Sequence, residues 1–212
     1  MKCENCDSDN FVPGHIVKLT NDMRHCAVCG RDVISQYVHN KPWDTYFHYI
    51  CQAVASKSPC MSRKIGAILV KDKSIVSTGY NGPPRGIPHC GHERLMKDSE
   101  LCNELHNIDG FSAEQLKSVC PRRLLNYKSG MGMEWCPAQH AEENAVSNAA
   151  RLGTSVIGTT LYMNSVIPCQ KCFGTLINAG ITEIVVEDDI VYDKHTTFLI
   201  QNSSIYIRRF EL

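Results

Sequence analysis

The sequence lacks three features that would each place it in a large class of proteins. It has no long hydrophobic run, since its longest aliphatic stretch covers residues 65–70 and is too short to cross a bilayer. No apolar core follows the first residues, so neither a signal peptide nor a membrane partner is expected, and the predicted location is the cytosol. An excess of one charge is also missing, because 22 basic residues match 22 acidic ones. Since nonspecific binding to nucleic acid depends on neutralising phosphates, no nucleic-acid partner is expected.

Cysteine, in contrast, is abundant. The 12 cysteines among 212 residues stay below the roughly 8–10% that marks a disulfide scaffold. In a reducing compartment such cysteines are expected to bind metal or to be buried thiols. Half of them fall in three Cys-x-x-Cys pairs, which are Cys3/Cys6, Cys26/Cys29 and Cys169/Cys172.

Hydropathy divides the chain into a short cysteine-rich segment and a longer packed domain. Residues 1–41 hold two of the cysteine pairs and few apolar residues, and Pro42 ends a linker that resists helix formation. Residues 83–139 are polar and irregular, and they are expected to be a long loop without a core of its own. Elsewhere in 42–212, alternating patterns predict an α/β fold with a mixed sheet. The predicted strands cover 65–70, 75–80, 159–163, 183–187 and 204–210, and the predicted helices cover 43–57, 140–152, 169–179 and 192–201.

The motif with the most chemical content joins His140 and Glu142 to the third cysteine pair. Cys169 and Cys172 lie in the first turn of a predicted helix, where their sulfurs share one side and the helix N-terminus favours thiolates. With His140 they form a Cys₂His set that leaves one tetrahedral position open, as catalytic zinc requires. Glu142 is close enough to transfer protons without binding the metal. The alternative is a structural zinc, but such sites normally have four protein ligands.

At these residues the chain resembles the cytidine deaminase superfamily, and within it the deoxycytidylate deaminases of bacteria and phages. His-x-Glu followed by Pro-Cys-x-x-Cys is typical of zinc nucleobase deaminases. Segments 60–67, 79–82, 140–145 and 177–181 carry the likeness, which covers residues 43–212. It implies an αβα sandwich with a mixed five-stranded sheet, preceded here by a zinc ribbon. It also implies zinc-dependent hydrolysis of dCMP to dUMP and ammonia by a homo-oligomer, expected to be a hexamer, with dCTP and dTTP as effectors.

The resemblance also assigns the substrate contacts. The structural alternatives stay open, since Asn-Gly favours hairpin turns and basic residues at the start of a strand are commonly solvated. Segment 162–168 approaches the base and is one residue longer than the family pattern, so the tolerated C5 substituent is left open. By resemblance, Asn81 contacts the deoxyribose, backbone groups of Ala141 and of residues 165–167 hold the base edge, and Ser62, Arg63 and Lys64 lie near the phosphate.

The remaining cysteines predict one or two structural zinc ions beside the catalytic one. The first two Cys-x-x-Cys pairs have the spacing of a zinc ribbon with a docking or oligomer-stabilising role; rubredoxin-type iron is the alternative metal. Two further cysteines correspond to ligands of a second structural zinc in the phage deaminases, although buried free thiols are common. The ribbon ligands are Cys3, Cys6, Cys26 and Cys29. The second set is Cys60 and Cys90 with Cys136 and Cys120, for which Cys102, His89 and His92 are rivals.

Three other functions are compatible with these motifs. One alternative is a deaminase of another cytosine nucleotide, such as dCTP or a 5-substituted dCMP. Another is a base deaminase like the tRNA adenosine deaminases, which the zero net charge and the Gly-Tyr-Asn-Gly turn at 79–82 disfavour. A zinc-ribbon regulatory protein with an inactive deaminase core is the non-enzymatic alternative, and the presence of Glu142 disfavours it.

Overall fold

A computed structural model describes residues 11–13, 23–26, 32–34, 42–107, 112–128 and 130–212, with only the backbone in the first three ranges. Those three ranges are the strands β1 (Phe11–Pro13), β2 (Met23–Cys26) and β3 (Asp32–Ile34), which form an antiparallel sheet in that order. Cys3, Cys6, Cys29 and the side chain of Cys26 lie outside the described residues. The ribbon zinc and the domain boundary after residue 41 therefore stay predictions.

The main sheet has five strands in the order β5-β4-β6-β7-β8. Strand β4 pairs antiparallel with both of its neighbours, whereas β6, β7 and β8 pair in parallel. Parallel pairs need a crossover, and a helix supplies each one. The strands are β4 (Gly66–Lys71), β5 (Ser74–Tyr80), β6 (Thr160–Val166), β7 (Glu183–Asp188) and β8 (Tyr206–Arg209). The helices are α1 (Trp43–Ala55), α2 (His92–Lys97), α3 (Ser99–His106), α4 (Ala113–Ser118), α5 (Pro121–Leu124), α6 (Ala141–Arg151), α7 (Gln170–Ala179) and α8 (Lys194–Asn202).

Buried side chains cover both faces of this sheet. Successive residues of β4 point to opposite faces, so Ile68 packs with α1 while Ala67 and Leu69 pack towards α6 and α7. The predicted αβα sandwich with a mixed five-stranded sheet is confirmed. The core on the α1 face consists of Phe47, Cys51, Ile68, Val70, Tyr162 and Val185. On the other face it includes Ala67, Leu69, Ala141, Ala145, Leu161, Met163, Phe173, Leu176, Ile184 and Val186.

The β5–α6 connection, residues 83–139, differs from the prediction of a coreless loop. It contains helices α2 to α5 and a short 3₁₀ helix at Met133–Trp135. The prediction was wrong because these helices have only four to eight residues, too few for a hydrophobic period to be read from the sequence. Their leucines form a separate small core, made of Leu101, Leu105 and Leu124 with Leu95, Leu116, Val119, Leu125 and Trp135 packed against it.

Helix ends depend on local side chains. Helix α8 begins later than predicted because the carboxylate of Asp193 accepts a hydrogen bond from the His195 N–H at 2.9 Å. Leu152, the C-cap residue of α6, is 66% exposed. Within the described part of the chain, no helix is both long and apolar enough to span a membrane.

A partly buried ion pair joins the last strand to helix α1. Both terminal nitrogens of Arg208 on β8 donate to the carboxylate of Asp44 on α1, and its Nε donates to Glu183 at 2.7 Å. The backbone N–H of Glu211 adds a hydrogen bond to Asp44 at 3.0 Å. Burial alone would raise the pKa of Asp44, but the hydrogen bonds from Arg208 and Glu211 lower it below its ordinary value of 3.8.

Replacing Arg208 is expected to destabilise the domain much more than replacing its neighbour. Arg208→Met leaves the Asp44 carboxylate buried without its partner, which should lower the free energy of unfolding by about 3 kcal/mol at pH 7. Arg209→Met removes an exposed contact to Asp188 at 3.9 Å and an exposed hydrogen bond to the Glu187 carbonyl at 3.3 Å, so the loss should stay below about 1 kcal/mol. Urea unfolding of both variants measures the difference.

The pH dependence of that difference follows from the lowered pKa of Asp44. Since the folded-state value lies below 3.8, the pair contributes fully above about pH 4, and its contribution disappears as the pH falls through the lowered pKa. Equal destabilisation by Arg208→Met and Arg209→Met at pH 7 would contradict the structural role of the pair.

Candidate active site

His140 and Glu142 lie at the N-terminus of helix α6. The residue before this pair is anchored, because Gln139 exchanges two backbone hydrogen bonds with Gly82, at 2.9 and 3.1 Å. His140 is the N-cap residue, and its backbone N–H lies 3.5 Å from the carboxylate of Glu143. Glu142 follows in the first turn and is 4% exposed. An imidazole and a buried carboxylate therefore lie beside each other at the N-terminus of α6.

Cys169 and Cys172 lie at the N-terminus of α7, as predicted. Cys169 is the N-cap residue and Cys172 is buried in the first turn. The Asp193 carboxylate, which caps α8, also accepts the Gln170 N–H at 3.1 Å and so holds the start of α7. Sequence reasoning missed Asp193. An aspartate near the start of the predicted helix 192–201 indicates a helix cap, but nothing in the sequence shows that Asp193 reaches α7.

The two helix ends bring three ligand atoms together. Nδ1 of His140 lies 3.2 Å from Sγ of Cys172 and 3.6 Å from Sγ of Cys169, and the two sulfurs are 3.5 Å apart. A tetrahedral zinc with its usual bond lengths needs about 3.5 Å between nitrogen and sulfur and about 3.8 Å between sulfurs. The three side chains therefore fit a zinc ion and leave the fourth ligand position to a non-protein group. Among the residues that the structure describes, no other group of three such ligands is this compact.

The charges in the cluster also suit a cation. Hydrogen bonds from Cys172 and His140 lower the pKa of Cys169 to about 3, against the effect of burial. The hydrogen bond with Cys169 raises the pKa of His140 to about 9, again against burial, and the charge of Glu142 adds to the rise. The hydrogen bond with Cys169 and burial raise the pKa of the Cys172 thiol, so negative charge is favoured on the Cys169 sulfur alone. A bound metal stabilises the same thiolate form.

Two further oxygen groups face this cluster. Oε1 of Glu142 lies 4.0 Å from Nδ1 of His140, and burial raises the pKa of this carboxyl group. Burial and then the charges of Cys169 and Glu142 raise the pKa of Tyr192, so its hydroxyl lies near the same group of side chains. Tyr192 was missed in the sequence because it precedes α8 in an exposed segment without a motif.

Residues 41–188 match the family described as "Cytidine and deoxycytidylate deaminase zinc-binding region", and this range contains His140, Glu142, Cys169 and Cys172. The chain belongs to the cytidine and deoxycytidylate deaminase family. The resemblance found in the sequence is thereby confirmed.

Named members of the family are similar to the chain over most of its length. Deoxycytidylate deaminase of Mycobacterium phage D29 is 34% identical over 148 residues, which is 68% of this chain and 92% of the phage protein. Deoxycytidylate deaminase of Schizosaccharomyces pombe is 29% identical over 181 residues, or 84% of this chain and 47% of the yeast protein. The chain thus spans about half the length of the yeast relatives that it matches.

A crystal structure in the family has the same fold. The dCMP deaminase from the cyanophage S-TIM5, in apo form, superimposes with a TM-score of 0.53 at 19% identity. The match covers 80% of this chain and 99% of the cyanophage chain. It supports the sandwich architecture independently of the sequence motifs.

The Asn81 side chain of this deaminase-family chain is held by internal hydrogen bonds. Its Oδ1 accepts from the Ile65 N–H at 2.8 Å and from the Ser58 hydroxyl at 2.7 Å, and its Nδ2 donates to the Arg63 carbonyl at 2.9 Å. Asn81 therefore ties the end of β5 to the segment before β4. Ser62 and Arg63 line a cavity next to that segment, and Lys64 is exposed. The assigned contacts of these residues with substrate stay predictions.

Strand β6 has an irregularity within segment 162–168, the segment predicted to be one residue longer than the family pattern. Met163 pairs with Val186 and Val166 pairs with Asp188, so three steps along β6 match two steps along β7. One residue is therefore accommodated as a bulge, a feature that redirects side chains at the end of a strand. The Asn164 side chain accepts the Gly66 N–H at 2.7 Å and fixes the bulge against β4. The bulge leads directly into residues 165–167, which were assigned to the base edge.

The second set of cysteines is less compact than the first in the described structure. Burial raises the pKa of Cys90, Arg94 lowers it, and charges on Cys120 and Cys136 raise it, so these three thiols are neighbours. Nη1 of Arg94 lies 3.6 Å from Sγ of Cys90. The rival Cys102 instead contacts His106 of its own helix at 3.4 Å. A second structural zinc on Cys60, Cys90, Cys120 and Cys136 stays a prediction.

Glycine is required where α6 contacts the sheet. A Cβ atom at Gly79 would lie 2.2 Å from the Ala141 carbonyl oxygen and 2.3 Å from the Ala145 nitrogen. Gly66 is its counterpart on the opposite face, where a Cβ would lie 2.2 Å from the Cys51 carbonyl oxygen of α1. Only Gly79 thus sets the position of the helix that carries His140 and Glu142.

Gly79→Ala is expected to displace α6 and to weaken zinc binding, because His140 moves away from Cys169 and Cys172. Both Gly79→Ala and Gly66→Ala should lower the free energy of unfolding by about 1–3 kcal/mol. Zinc retained after dialysis against a chelator should fall in Gly79→Ala and stay near the wild-type value in Gly66→Ala. Equal zinc retention in the two variants would contradict this role of Gly79.

Proposed function

We propose that the protein is a zinc-dependent hydrolase that converts dCMP to dUMP and ammonia. The observation that carries the proposal is the buried Glu142 carboxylate beside the His140, Cys169 and Cys172 cluster. Three ligands suit a catalytic rather than a structural zinc, and a carboxylate outside the ligand set suits proton transfer. The relatives named deoxycytidylate deaminase support the choice of substrate.

Each residue of the site has its own role in the proposed reaction. His140, Cys169 and Cys172 would hold the zinc ion, which when bound lowers the pKa of water and so supplies a nucleophile at neutral pH. Glu142 accepts one proton from the attacking water and passes it to the ring nitrogen N3, and it then moves the second proton from the new C4 hydroxyl to the leaving amino group. A C–O bond forms at C4 of cytosine, the C4–N bond breaks, and ammonia leaves.

Substrate binding is proposed for the residues around β5 and β6. Nδ2 of Asn81 has a second hydrogen that can be donated to the deoxyribose, beside the one donated to Arg63. The backbone of Ala141 and of residues 165–167 would hold the base edge. Ser62, Arg63 and Lys64 would contact the 5′-phosphate. We also propose a cytosolic homo-oligomer, expected to be a hexamer, that responds to dCTP and dTTP.

Glu142→Gln is expected to keep zinc and lose turnover, because the amide cannot accept a proton. A general acid–base group typically contributes about 10²–10⁴-fold, so conversion of dCMP should fall by at least that factor. Glu143→Gln is the matched control, since glutamine still accepts the His140 N–H at the helix end and should preserve activity. Ammonia release and elemental analysis measure both effects. Full turnover by zinc-replete Glu142→Gln would exclude the proposed role.

Three zinc ions per chain are expected, one catalytic and two structural. Cys172→Ser, Cys90→Ser and the double change Cys3→Ser with Cys6→Ser should each remove one, because each breaks a different ligand set. Cys51→Ala is the control, since Cys51 is fully buried in the core and belongs to none of the sets. Elemental analysis of native protein and variants gives the counts. A Cys90→Ser protein with the full wild-type content would show that Cys60, Cys90, Cys120 and Cys136 are ordinary thiols.

A further inference from the structure

Helix α7 carries two of the three candidate zinc ligands but has no side-chain cap of its own. Its N-cap residue is Cys169, whose sulfur makes no capping hydrogen bond and is a weak acceptor by nature. Most helices have Ser, Thr, Asp or Asn at this position, because an oxygen there accepts one of the first free N–H groups. The Cys169 sulfur instead lies 3.6 Å from Nδ1 of His140 and 3.5 Å from Sγ of Cys172. The N-cap side chain of α7 is therefore committed to the candidate metal site.

Asp193 supplies the missing cap from outside the helix. Its Oδ2 accepts the N–H of Gln170, the first residue of α7, at 3.1 Å. Its Oδ1 accepts the N–H of His195 in α8 at 2.9 Å. One carboxylate thus caps two helices, with one oxygen for each. Peptide dipoles also favour a negative charge at both helix N-termini.

A second contact from the start of α8 holds the other side of Cys169. Thr196 is 1% exposed, and its hydroxyl donates to the carbonyl of the buried Pro168 at 3.5 Å. Pro168 precedes Cys169 and Gln170 follows it. The residues on both sides of this ligand are therefore bound to the first turn of α8.

Helix α8 can serve as a fixed support because it packs against the core. Leu199 and Ile200 of α8 contact the buried cluster that contains Phe173 and Leu176 of α7. A metal site needs its ligands within about 0.5 Å of the productive geometry, and hydrogen bonds from surrounding residues provide that precision. A small shift of the α7 start relative to α8 would move the Cys169 sulfur away from His140.

We infer that Asp193 is a positioning residue of the catalytic site, which holds Cys169 where it can bind zinc together with Cys172 and His140. The inference rests on the proposed function, because it concerns the zinc ion of that reaction. Residues that orient metal ligands through hydrogen bonds typically contribute about 10- to 100-fold to metal affinity. Asp193 acts through the start of α7 and has no role in proton transfer.

Asp193→Ser tests the inference, because serine keeps one of the two caps and removes the other. Its single oxygen suits the N-cap position of α8, but no second oxygen is left for the Gln170 N–H. The affinity for one zinc ion per chain should fall about 10- to 100-fold, measured by competition with a chelator and elemental analysis. The urea midpoint of the zinc-saturated variant should stay close to that of native protein.

Cys172→Ser identifies which zinc ion is affected. Because this substitution removes the catalytic zinc, adding Asp193→Ser to it should release no further ion at the same chelator concentration. Ser112→Ala is the matched control, since the Ser112 hydroxyl caps α4 by accepting the Gln115 N–H at 3.1 Å and belongs to none of the zinc sets. It removes a helix cap of the same kind and should leave zinc affinity unchanged.

Three results would overturn the inference. Asp193→Ser could keep native zinc affinity. Ser112→Ala could lose as much zinc affinity as Asp193→Ser, which would indicate a general loss of stability. The double variant with Cys172→Ser could release a further ion, which would show that Asp193 acts on a structural zinc.

The outcomes also separate this inference from the proposed function. If native protein holds zinc but does not deaminate dCMP, the proposed function fails, and a loss of zinc affinity in Asp193→Ser would still support the positioning role. If native protein deaminates dCMP and Asp193→Ser binds zinc as tightly as native protein, the positioning role alone fails. Equal zinc content in native protein and Cys172→Ser would contradict both.

Discussion

The structure depends on the meeting of two helix N-termini at one point. Helix α6 begins after His140 and helix α7 begins after Cys169, and their first turns bring an imidazole within 3.2 Å of a thiol. Peptide dipoles give both ends partial positive charge, which favours thiolates. The parallel pairing of β6 with β7 requires the α7 crossover, and Asp193 of the following segment fixes where α7 begins. The residues that form the candidate zinc site therefore also lie where the two helices begin.

The end of β5 is the second organising feature, and it explains the Gly-Tyr-Asn-Gly turn in physical terms. Gly79 lets α6 contact the strand backbone, Asn81 binds the segment that leads into β4, and Gly82 holds Gln139 next to His140. Three residues of this turn thus position the helix with the zinc ligand and the proposed sugar contact. A substitution in this turn is therefore expected to affect both the helix with the zinc ligand and the proposed sugar contact.

The sequence predicted those helices and strands that are long enough to show a hydrophobic period or that have a recognisable cap. Strands β4 to β8 and helices α1, α6, α7 and α8 were found within a few residues, because each has a clear period or cap. The ligands His140, Cys169 and Cys172 were found because their spacing is itself a chemical pattern. The leucine core around Leu101 was missed, because helices of this length show no period.

Contacts between residues that lie far apart in the chain could not be predicted from the sequence either. The hydrogen bond from α7 to Asp193, the Arg208–Asp44 pair and the cavity lined by Ser62 and Arg63 depend on tertiary structure. The central claim is that this arrangement adds water to cytosine, and isotope transfer tests it most directly. Reaction of native protein with dCMP in H₂¹⁸O should give dUMP with one ¹⁸O atom and one ammonia for each molecule converted. Unlabelled dUMP, or no conversion of dCMP by zinc-replete protein, would contradict the account.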